Sequence, residues 1–395
     1  MKTSVLTCAV GIFAVACGSS STAVLPDAGP AADGSPSGLL GFAASNVKLD
    51  GIDVSKVEAQ SFTGNCYIDG ETSLSDCFTT NGFASAVVSQ ADGSKVGVFI
   101  VKSLRVEATA HVTVGGNIPL VLVSLGDMTI LGSIAAHGLY DVATAGGFSQ
   151  PMQQSKGGGP GGGPKGTGAG GAVGGVAGGG ASFCGLGGKG GAEFMTMDVP
   201  GAPAAAYGAV DLRPLIGGSS GGSGDGVAGG GGGALQLVAG GAFAMNAGSS
   251  INVGGGGAGP GGTTGQNPGG AGSGGSVLIE ALTVSLQGVI ASNGGGGGAG
   301  GSSAGGKDGS PDSTPAPGGV GTNPGGAGSA GTSVNGVDGK SGEMANPAAG
   351  GGGGGTGRIR INSLSGVATI TGTFSPAAST PCMTQGKVRA PGTGI

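Results

Sequence analysis

Residues 120–135 of the chain read LVLVSLGDMTILGSIA, and this stretch decides the fold. Its first four residues form a continuous apolar run, which is typical of a β-strand buried on both faces. The part from Met128 onward alternates apolar residues with small or polar ones, the two-residue period of a half-buried strand. The stretch therefore predicts a strand, a turn and a second strand, with no helix between them.

The same pattern recurs further along the chain. With a constant offset of 156, residues 121–123 align with residues 277–279, and the alternating strands that follow them align as well. Further copies begin at Leu235 and at Arg358, so that steps of 42 and 81 residues separate the last three copies. Each of the first three copies is followed by a glycine-rich stretch of variable length. Repeated strand units joined by such insertions are typical of solenoids.

We therefore expect an all-β fold, a right-handed parallel β-helix-like solenoid with long glycine-rich insertions able to form polyglycine II helices. Insertions of any length are tolerated because the entropy of loop closure grows slowly with loop length. A β-sandwich also alternates short strands, but its turns recur every 8–12 residues or so. No stretch has the apolar period of three to four residues that an amphipathic helix requires, so helices should be few.

Glycine is concentrated in one part of the chain. Of the 101 glycines among 395 residues, 77 lie in residues 151–360. Charged residues make up only 9% and hydrophobic residues 37%, which is unlike a disordered chain, and runs such as 350–355 break the strict period of collagen. Glycine-rich segments can form left-handed helices of three residues per turn that pack side by side through backbone hydrogen bonds. The alternative is a set of disordered loops.

The N-terminus predicts export. An apolar run after Lys2 is too short to span a bilayer and fits a signal peptide, and residues 14–17 (Ala-Val-Ala-Cys) resemble a lipobox that would lipidate Cys17. The alternative is that ordinary signal peptidase removes the signal peptide after Ala16, without lipidation of Cys17. The predicted organisation is a signal peptide (1–16), a lipidated flexible linker (17–43), N-terminal solenoid rungs (44–150), a glycine-rich insertion region (151–234), further rungs with glycine-rich loops (235–378) and a C-terminal tail (379–395).

Four cysteines remain after the signal peptide and Cys17, as suits a protein exported to an oxidising compartment. Cys66 and Cys77 flank a turn-like Asp-Gly and are candidates for a local disulfide. Cys184 would then pair with Cys382 by elimination. A zinc site would need closer Cys and His spacing than the sequence offers.

The sequence contains no convincing catalytic, cofactor or metal motif. Its net charge is −5 without any basic run, which argues against nucleic-acid binding. Gly339-Lys340-Ser341 imitates the end of a phosphate loop by chance, since Val334 stands where that motif needs glycine. His111 is expected on the exposed face of a strand, and His137 at a turn. Acidic residues are scattered, whereas glycoside hydrolysis generally needs a carboxylate pair.

Two resemblances accompany these features. Nearly the whole chain resembles uncharacterised glycine-rich exported lipoproteins of myxobacterial type. The features that carry this resemblance are the signal sequence, the tail after Cys17, the strand copies, segments such as Gly-Gly-Ala-Gly and the stretch 184–189 (CGLGGK). Residues 150–360 are similar in composition to mycobacterial PE-PGRS proteins, although the helical N-terminal domain of that family has no counterpart here. Neither resemblance implies catalytic residues.

These observations predict a non-catalytic lipoprotein of the cell envelope, located at the outer membrane or cell surface, that serves a structural or adhesive role by displaying glycine-rich loops. Its expected partners are a membrane, through the lipid anchor, and a surface glycan or another envelope component. No cofactor and no nucleic acid are expected. The alternative function is a carbohydrate-binding or carbohydrate-active protein in which a groove along the strands holds a glycan.

Overall fold

The computed structural model describes residues 38–78, 81–166, 175–195, 197–262 and 266–391. These residues belong to one compact unit. The signal peptide, Cys17 and most of the predicted linker lie outside the described residues. Strands and isolated β-bridges together make up 30% of the described residues, and no helix is present among them. The remainder of the fold must therefore be held by other means. Accordingly, no described segment is a helix that could span a membrane.

Seventeen strands are present in the described part of the chain. They are β1 (Ala59–Phe62), β2 (Asn65–Asp69), β3 (Ala84–Ser89), β4 (Lys95–Val101), β5 (Ser103–Val106), β6 (His111–Gly115), β7 (Leu120–Ser124), β8 (Met128–Ile130), β9 (Ser133–Ala135), β10 (Ala234–Met245), β11 (Ser250–Asn252), β12 (Ser276–Leu286), β13 (Val289–Ala291), β14 (Arg358–Ser363), β15 (Thr369–Ile370), β16 (Thr373–Ser375) and β17 (Met383–Lys387).

The strands form two mainly parallel sheets. The smaller has six strands in the order β16-β13-β11-β9-β6-β2. The larger has 11 strands and branches, because β10 and β12 are 12 and 11 residues long and each pairs with different strands along its two halves. One branch runs through β4, β7, β14 and β17, and the other through β1, β5, β8 and β15. Strand β3 is added to β4 as the single antiparallel pair.

The predicted right-handed parallel β-helix-like solenoid is wrong. The strands lie in two open sheets, one of them branched, and no closed sheet is formed by the described residues. Mainly parallel sheets are typical of α/β proteins, but here they occur without helices in the described ranges. Apolar alternation identifies which side chains face a core, whereas the joining of sheets depends on corner residues that carry no such period. The repeat could therefore predict parallel strands but not how the sheets are connected.

The register differs from the predicted alignment by one residue in the first strands of two copies. In the fourth copy Arg358 pairs with Ser276 instead of Val277, and the first copy is shifted as well. Leu120, not Val121, is in register with Val277, since both pair with Leu235. Further along, Met128 pairs with Phe243 and Phe243 with Val284, as the offset of 156 requires. The cause is a register shift between β10 and β12 after Ala239. A slip of one residue matters because it moves a side chain to the opposite face of its strand.

Apolar side chains fill the space between the two sheets. One continuous cluster contains inward-facing residues of both, including Met128 of the larger sheet and Ile134 of the smaller. A second cluster lies on the outer face of β4 and β7, where Leu40 and Phe42 pack against their valines. Both faces of these strands are therefore buried, which explains their continuous apolar runs. Because Leu40 and Phe42 are buried, the core begins inside the segment predicted to be a linker.

The glycine segments are hydrogen-bonded to one another rather than displayed as loops. In residues 177–182 every third amide donates to the same neighbouring segment at 2.8–3.0 Å. The donor–acceptor pairs are Ala177–Gly191 and Gly180–Gly188, Gly178–Pro268 and Ala181–Ala271, and Gly179–Pro164 and Ser182–Gly161. This three-residue period is that of the left-handed helix with three residues per turn. The hydrogen bonds between segments that the sequence predicts are thus present in the described ranges.

We call this arrangement the glycine lattice, comprising residues 157–166, 176–192, 217–233, 253–262, 268–275, 293–300, 323–342 and 350–357 as far as they are described. It continues the hydrogen bonding of the sheets. Beyond β11, the amides of Val253 and Gly255 donate to the carbonyls of Ala291 and Asn293. The amide of Arg358 in β14 donates to the carbonyl of Gly275 at 2.9 Å. The sheets therefore set the register of the lattice.

One outer edge of the lattice is covered by side chains. Asn335 Oδ1, Asp338 Oδ1 and Ser341 Oγ accept hydrogen bonds from the backbone amides of residues 186, 189 and 192 at 2.9, 2.7 and 3.4 Å. The carbonyls of these same three residues accept from the amides of residues 336, 339 and 342. Side chains thus take the place that a further glycine segment occupies in the interior.

Two disulfides join the chain. Cys66 is bonded to Cys77 and Cys184 to Cys382, the two pairs that the sequence analysis named. The second bond links the lattice to the residue preceding β17 and spans 198 residues. On the chain-entropy model the short loop stabilises the fold by about 3 kcal/mol and the long one by about 5 kcal/mol.

The close approach of lattice segments predicts a large effect of adding one methyl group. A Cβ atom at Gly272 would lie 1.9 Å from the carbonyl oxygen of Gly230, whereas at Gly70 the nearest atom would be 3.5 Å away. We expect Gly272→Ala to lower the free energy of unfolding by about 3 kcal/mol, and Gly70→Ala to change it by less than about 1 kcal/mol. Urea titrations followed by circular dichroism measure both, and equal stabilities would contradict the lattice.

Candidate functional site

The outer face of the six-stranded sheet carries a row of side chains that are polar at five of its six positions. Register places one residue from each strand in this row, and the members are Asn65, His111, Ser133, Ser250, Val289 and Thr373. Alternation along the strands explains their position, because the residues between them, such as Ile134 and Ile251, face the core. The row is open to solvent over β2 and β6, where Asn65 and His111 are exposed.

A cavity of about 320 Å³ lies at the middle of this face. Its floor is formed by Ser133, Ser250 and Asn252, its rim by His137, and its wall by residues 308–311. The wall covers the sheet beyond β9, which is why Asn252 is buried although it points outward. We call the open face of β2, β6 and β9 together with this cavity the polar groove.

Hydrogen bonds hold the wall in place. Asn252 Nδ2 donates to the Gly309 carbonyl at 3.1 Å, and Asn293 Nδ2 donates to the Ser310 and Asp312 carbonyls at 2.8 Å each. Asp308 Oδ1 accepts from the amide of Gly257 at 2.7 Å. Since each contact is anchored in a strand or in the glycine lattice, the cavity has a fixed shape.

Three polar side chains of the cavity have no hydrogen-bond partner among the described residues, the hydroxyls of Ser250 and Ser310 and the imidazole of His137. By contrast, the Ser133 hydroxyl lies 2.8 Å from Nδ1 of His111. Burial lowers the pKa of His137, and the nearby Asp308 carboxylate only partly opposes this effect. His137 is therefore a neutral imidazole at pH 7, able to donate one hydrogen bond and accept another.

The cavity does not combine the groups that hydrolysis of a glycosidic bond requires. Asp308 is the one carboxylate among its described lining residues, whereas both common hydrolytic mechanisms use a pair of carboxyl groups. Neutral hydroxyl, amide and imidazole groups suit the binding of an uncharged polar ligand instead.

His111, expected on an exposed strand face, lies in the polar row, and His137, expected at a turn, lies at the rim of the cavity. Asn252, Ser250 and Asp308 were missed. The recurrence of Ser-Ile at β9 and β11 is a signal for the row, since it aligns Ser133 with Ser250. Nothing marks Asp308, which lies in a long segment without repeats.

A second polar cluster is structural. Glu280 is fully buried, and its carboxylate accepts four hydrogen bonds: from Ser45 N and Gln236 Nε2 at 2.8 Å, Ser45 Oγ at 2.6 Å and Asn362 Nδ2 at 3.1 Å. Every acceptor position is thus used within the protein. The cluster fastens the segment around Ser45 to the larger sheet and leaves no group for a ligand.

One further grouping has metal-ligand residue types, Cys66, Asp76 and Cys77. Both sulfur atoms are consumed by the disulfide, so they cannot act as thiolate ligands. Cys17, the predicted lipidation site, lies outside the described residues.

Comparison with known proteins adds no family to this description. No protein-family model matches the chain, and no curated protein or solved structure does so either. The fold is thus defined by its own features, two open parallel sheets continued by a glycine lattice. The resemblances to exported glycine-rich lipoproteins and to PE-PGRS proteins stay predictions.

The buried cluster predicts that the charge of Glu280 is required for stability. Glu280→Gln places an amide N–H group against donors, and we expect the free energy of unfolding to fall by about 3 kcal/mol. Glu343→Gln is the matched control, since Glu343 is exposed and paired only with Lys340, and its loss should cost less than about 1 kcal/mol. Urea titration measures both; a stable Glu280→Gln protein would contradict the structural role.

The lowered pKa of His137 predicts a pH dependence of stability. As the pH falls below the ordinary value of 6.5, the unfolded chain takes up a proton on His137 before the native protein does, so the free energy of unfolding decreases. This contribution is complete above pH 6.5 and is lost toward the folded pKa. His137→Gln should show a shallower decrease between pH 7.5 and 5.5 or so. Parallel urea titrations measure it, and identical slopes for the two proteins would refute it.

Proposed function

We propose that this protein is an exported, lipid-anchored component of the cell envelope with a structural or adhesive role and no catalytic activity. The observation that carries the proposal is the glycine lattice, in which backbone hydrogen bonds join neighbouring segments to one another and to the sheets. Such a body resists deformation because each segment is bonded to several neighbours.

The chemistry of the chain supports export. Two disulfides are typical of oxidising compartments, and the sequence before residue 38 has the pattern of a signal peptide followed by a lipidated Cys17. The lipid would hold the protein at a membrane surface without spanning it. Attachment of one face to the membrane leaves other faces of the rigid body available for contacts.

The expected display of glycine-rich loops is revised in this proposal. Most lattice glycines are buried, so the role of glycine in this proposal is rigidity. Contacts with envelope partners would be made by exposed side chains outside the lattice interior. A carbohydrate-active enzyme is the weaker candidate, because the carboxylate pair that hydrolysis needs is missing from the described lining of the cavity. Carbohydrate binding without catalysis is compatible with the polar groove.

The anchor and the role are tested together in the native bacterium. A deletion strain is complemented with the wild-type gene or with Cys17→Ser, and the cells are compared for surface attachment and for envelope integrity under detergent stress. We expect the deletion to impair at least one of these, the wild type to restore it, and Cys17→Ser to appear in the medium or soluble fraction without restoring it. Mass spectrometry of the mature N-terminus identifies the lipid.

Normal attachment together with normal envelope integrity in the deletion strain would refute the structural and adhesive role. An unmodified Cys17 in the mature wild-type protein would refute the anchor separately. Proteolysis of intact cells then distinguishes a surface location from a periplasmic one.

A further inference from the structure

The polar groove has the shape of a site for a chain-like ligand. Residues at successive positions across the sheet, Tyr67, Thr113, Ala135 and Asn252, are in register on β2, β6, β9 and β11. Neighbouring strands are separated by about 4.8 Å, so this second row, from Tyr67 to Asn252, is roughly 14 Å long. It is open over β2 and β6 and enters the cavity at β9, beneath residues 308–311. A ligand lying across the strands would therefore enter the cavity with one end.

An aromatic ring lies at the open end of the groove. Tyr67 is 42% exposed although it belongs to a strand, and its hydroxyl lies 3.4 Å from Asp69 Oδ2. The tip of the side chain lies over Gly115, where a Cβ atom would come closest to the tyrosine hydroxyl oxygen and within 2.8 Å of the ring carbon Cε2. Glycine on the adjacent strand thus leaves room for Tyr67 to reach across the sheet while much of its ring stays exposed to solvent. Flat apolar faces of this kind bind the apolar faces of sugar rings.

The cavity end of the groove offers hydrogen bonds that the protein itself does not use. Ser250 and His137 have no side-chain partners among the described residues, and both line the cavity. A partly buried polar group without a partner loses free energy relative to water. Ligand hydroxyl groups would satisfy both, because a hydroxyl can donate to the free imidazole nitrogen and accept from the serine.

The charge of the groove selects the class of ligand. Neither Lys nor Arg occurs among the described lining residues of the cavity, and its one charged side chain is Asp308. A carboxylated or sulfated glycan would meet a like charge without any cation to compensate it. An uncharged ligand meets no such penalty.

We propose that the polar groove binds a neutral oligosaccharide chain that stacks on Tyr67 and places one sugar unit in the cavity formed by Ser250, His137 and Asp308. This proposal rests on the adhesive function proposed above and names its ligand class. The site is one of recognition, with no bond made or broken.

The test uses the full mature chain, with both disulfides intact, on an array of neutral hexose and N-acetylhexosamine oligosaccharides and of their uronic-acid counterparts. Titration calorimetry then measures affinity for the neutral chain with the highest signal. We expect Tyr67→Ala to weaken binding about tenfold and Tyr67→Phe to bind as the wild type does, since the ring face is retained. Ser250→Ala should weaken binding by roughly five- to tenfold.

Ser285→Ala is the matched control, because Ser285 is also a partly buried, outward-facing serine, but on the larger sheet; it should bind as the wild type does. Urea titration of each variant separates a binding effect from unfolding. The proposal is overturned by dissociation constants above about 1 mM for every neutral chain, by tighter binding of the acidic chains, or by unchanged affinity in both Tyr67→Ala and Ser250→Ala.

These outcomes are distinguishable from failure of the proposed function. If the deletion strain loses attachment but the groove variants still bind and attach normally, the adhesive role stands and the groove assignment falls. If the groove binds a neutral glycan while the deletion strain attaches normally, the assignment stands and the adhesive role falls.

Discussion

The absence of a Cβ atom at the contacts between segments is the constraint on which the rest of this structure depends. At Gly272, Gly352 and Gly353 a Cβ would come within about 2 Å of a carbonyl oxygen on a neighbouring segment, a separation that packed side chains never reach. Backbones that pack this closely can form N–H···O bonds with neighbours in three directions. In a β-sheet these bonds lie in a single plane. The lattice is therefore possible only where glycine recurs, and this accounts for the concentration of glycine between the strand units.

Ordering glycine carries the largest loss of conformational entropy of any residue, so the lattice needs compensation from its surroundings. The sheets supply part of it, because strands such as β11 and β14 run directly into lattice segments and fix their register. The Cys184–Cys382 disulfide adds to this by limiting the unfolded chain. The apolar core between the sheets and the lattice are thus two halves of one cooperative body. The polar groove lies beside their junction, where its wall takes hydrogen bonds from both.

The sequence contained enough pattern to predict the parallel strands and the pairing of Leu235 with Val277, since apolar alternation is a local signal. Cys66 and Cys77 were paired by their short spacing, and Cys184 and Cys382 by elimination. The sequence could not predict how the two sheets join, because this depends on corner residues that carry no apolar period. Nor could it predict the register shift after Ala239 within the larger sheet. The burial of Leu40 and Phe42 was hidden by a composition that reads as a linker. Asp308 could not be predicted as a lining residue of the cavity, because the cavity wall depends on contacts between segments distant in sequence, such as Asn252 with Gly309.

A lattice in which every segment can bond to further segments has no inherent width, much as a crystal has no inherent size. Asn335, Asp338 and Ser341 take up amides at one edge that would otherwise face outward, and they do so at every third position, in step with the turn of the helix they cover. They act as a terminating layer, using up the bonding capacity of that edge. A few polar residues at this edge, rather than the glycines, thus limit how far the ordered lattice extends.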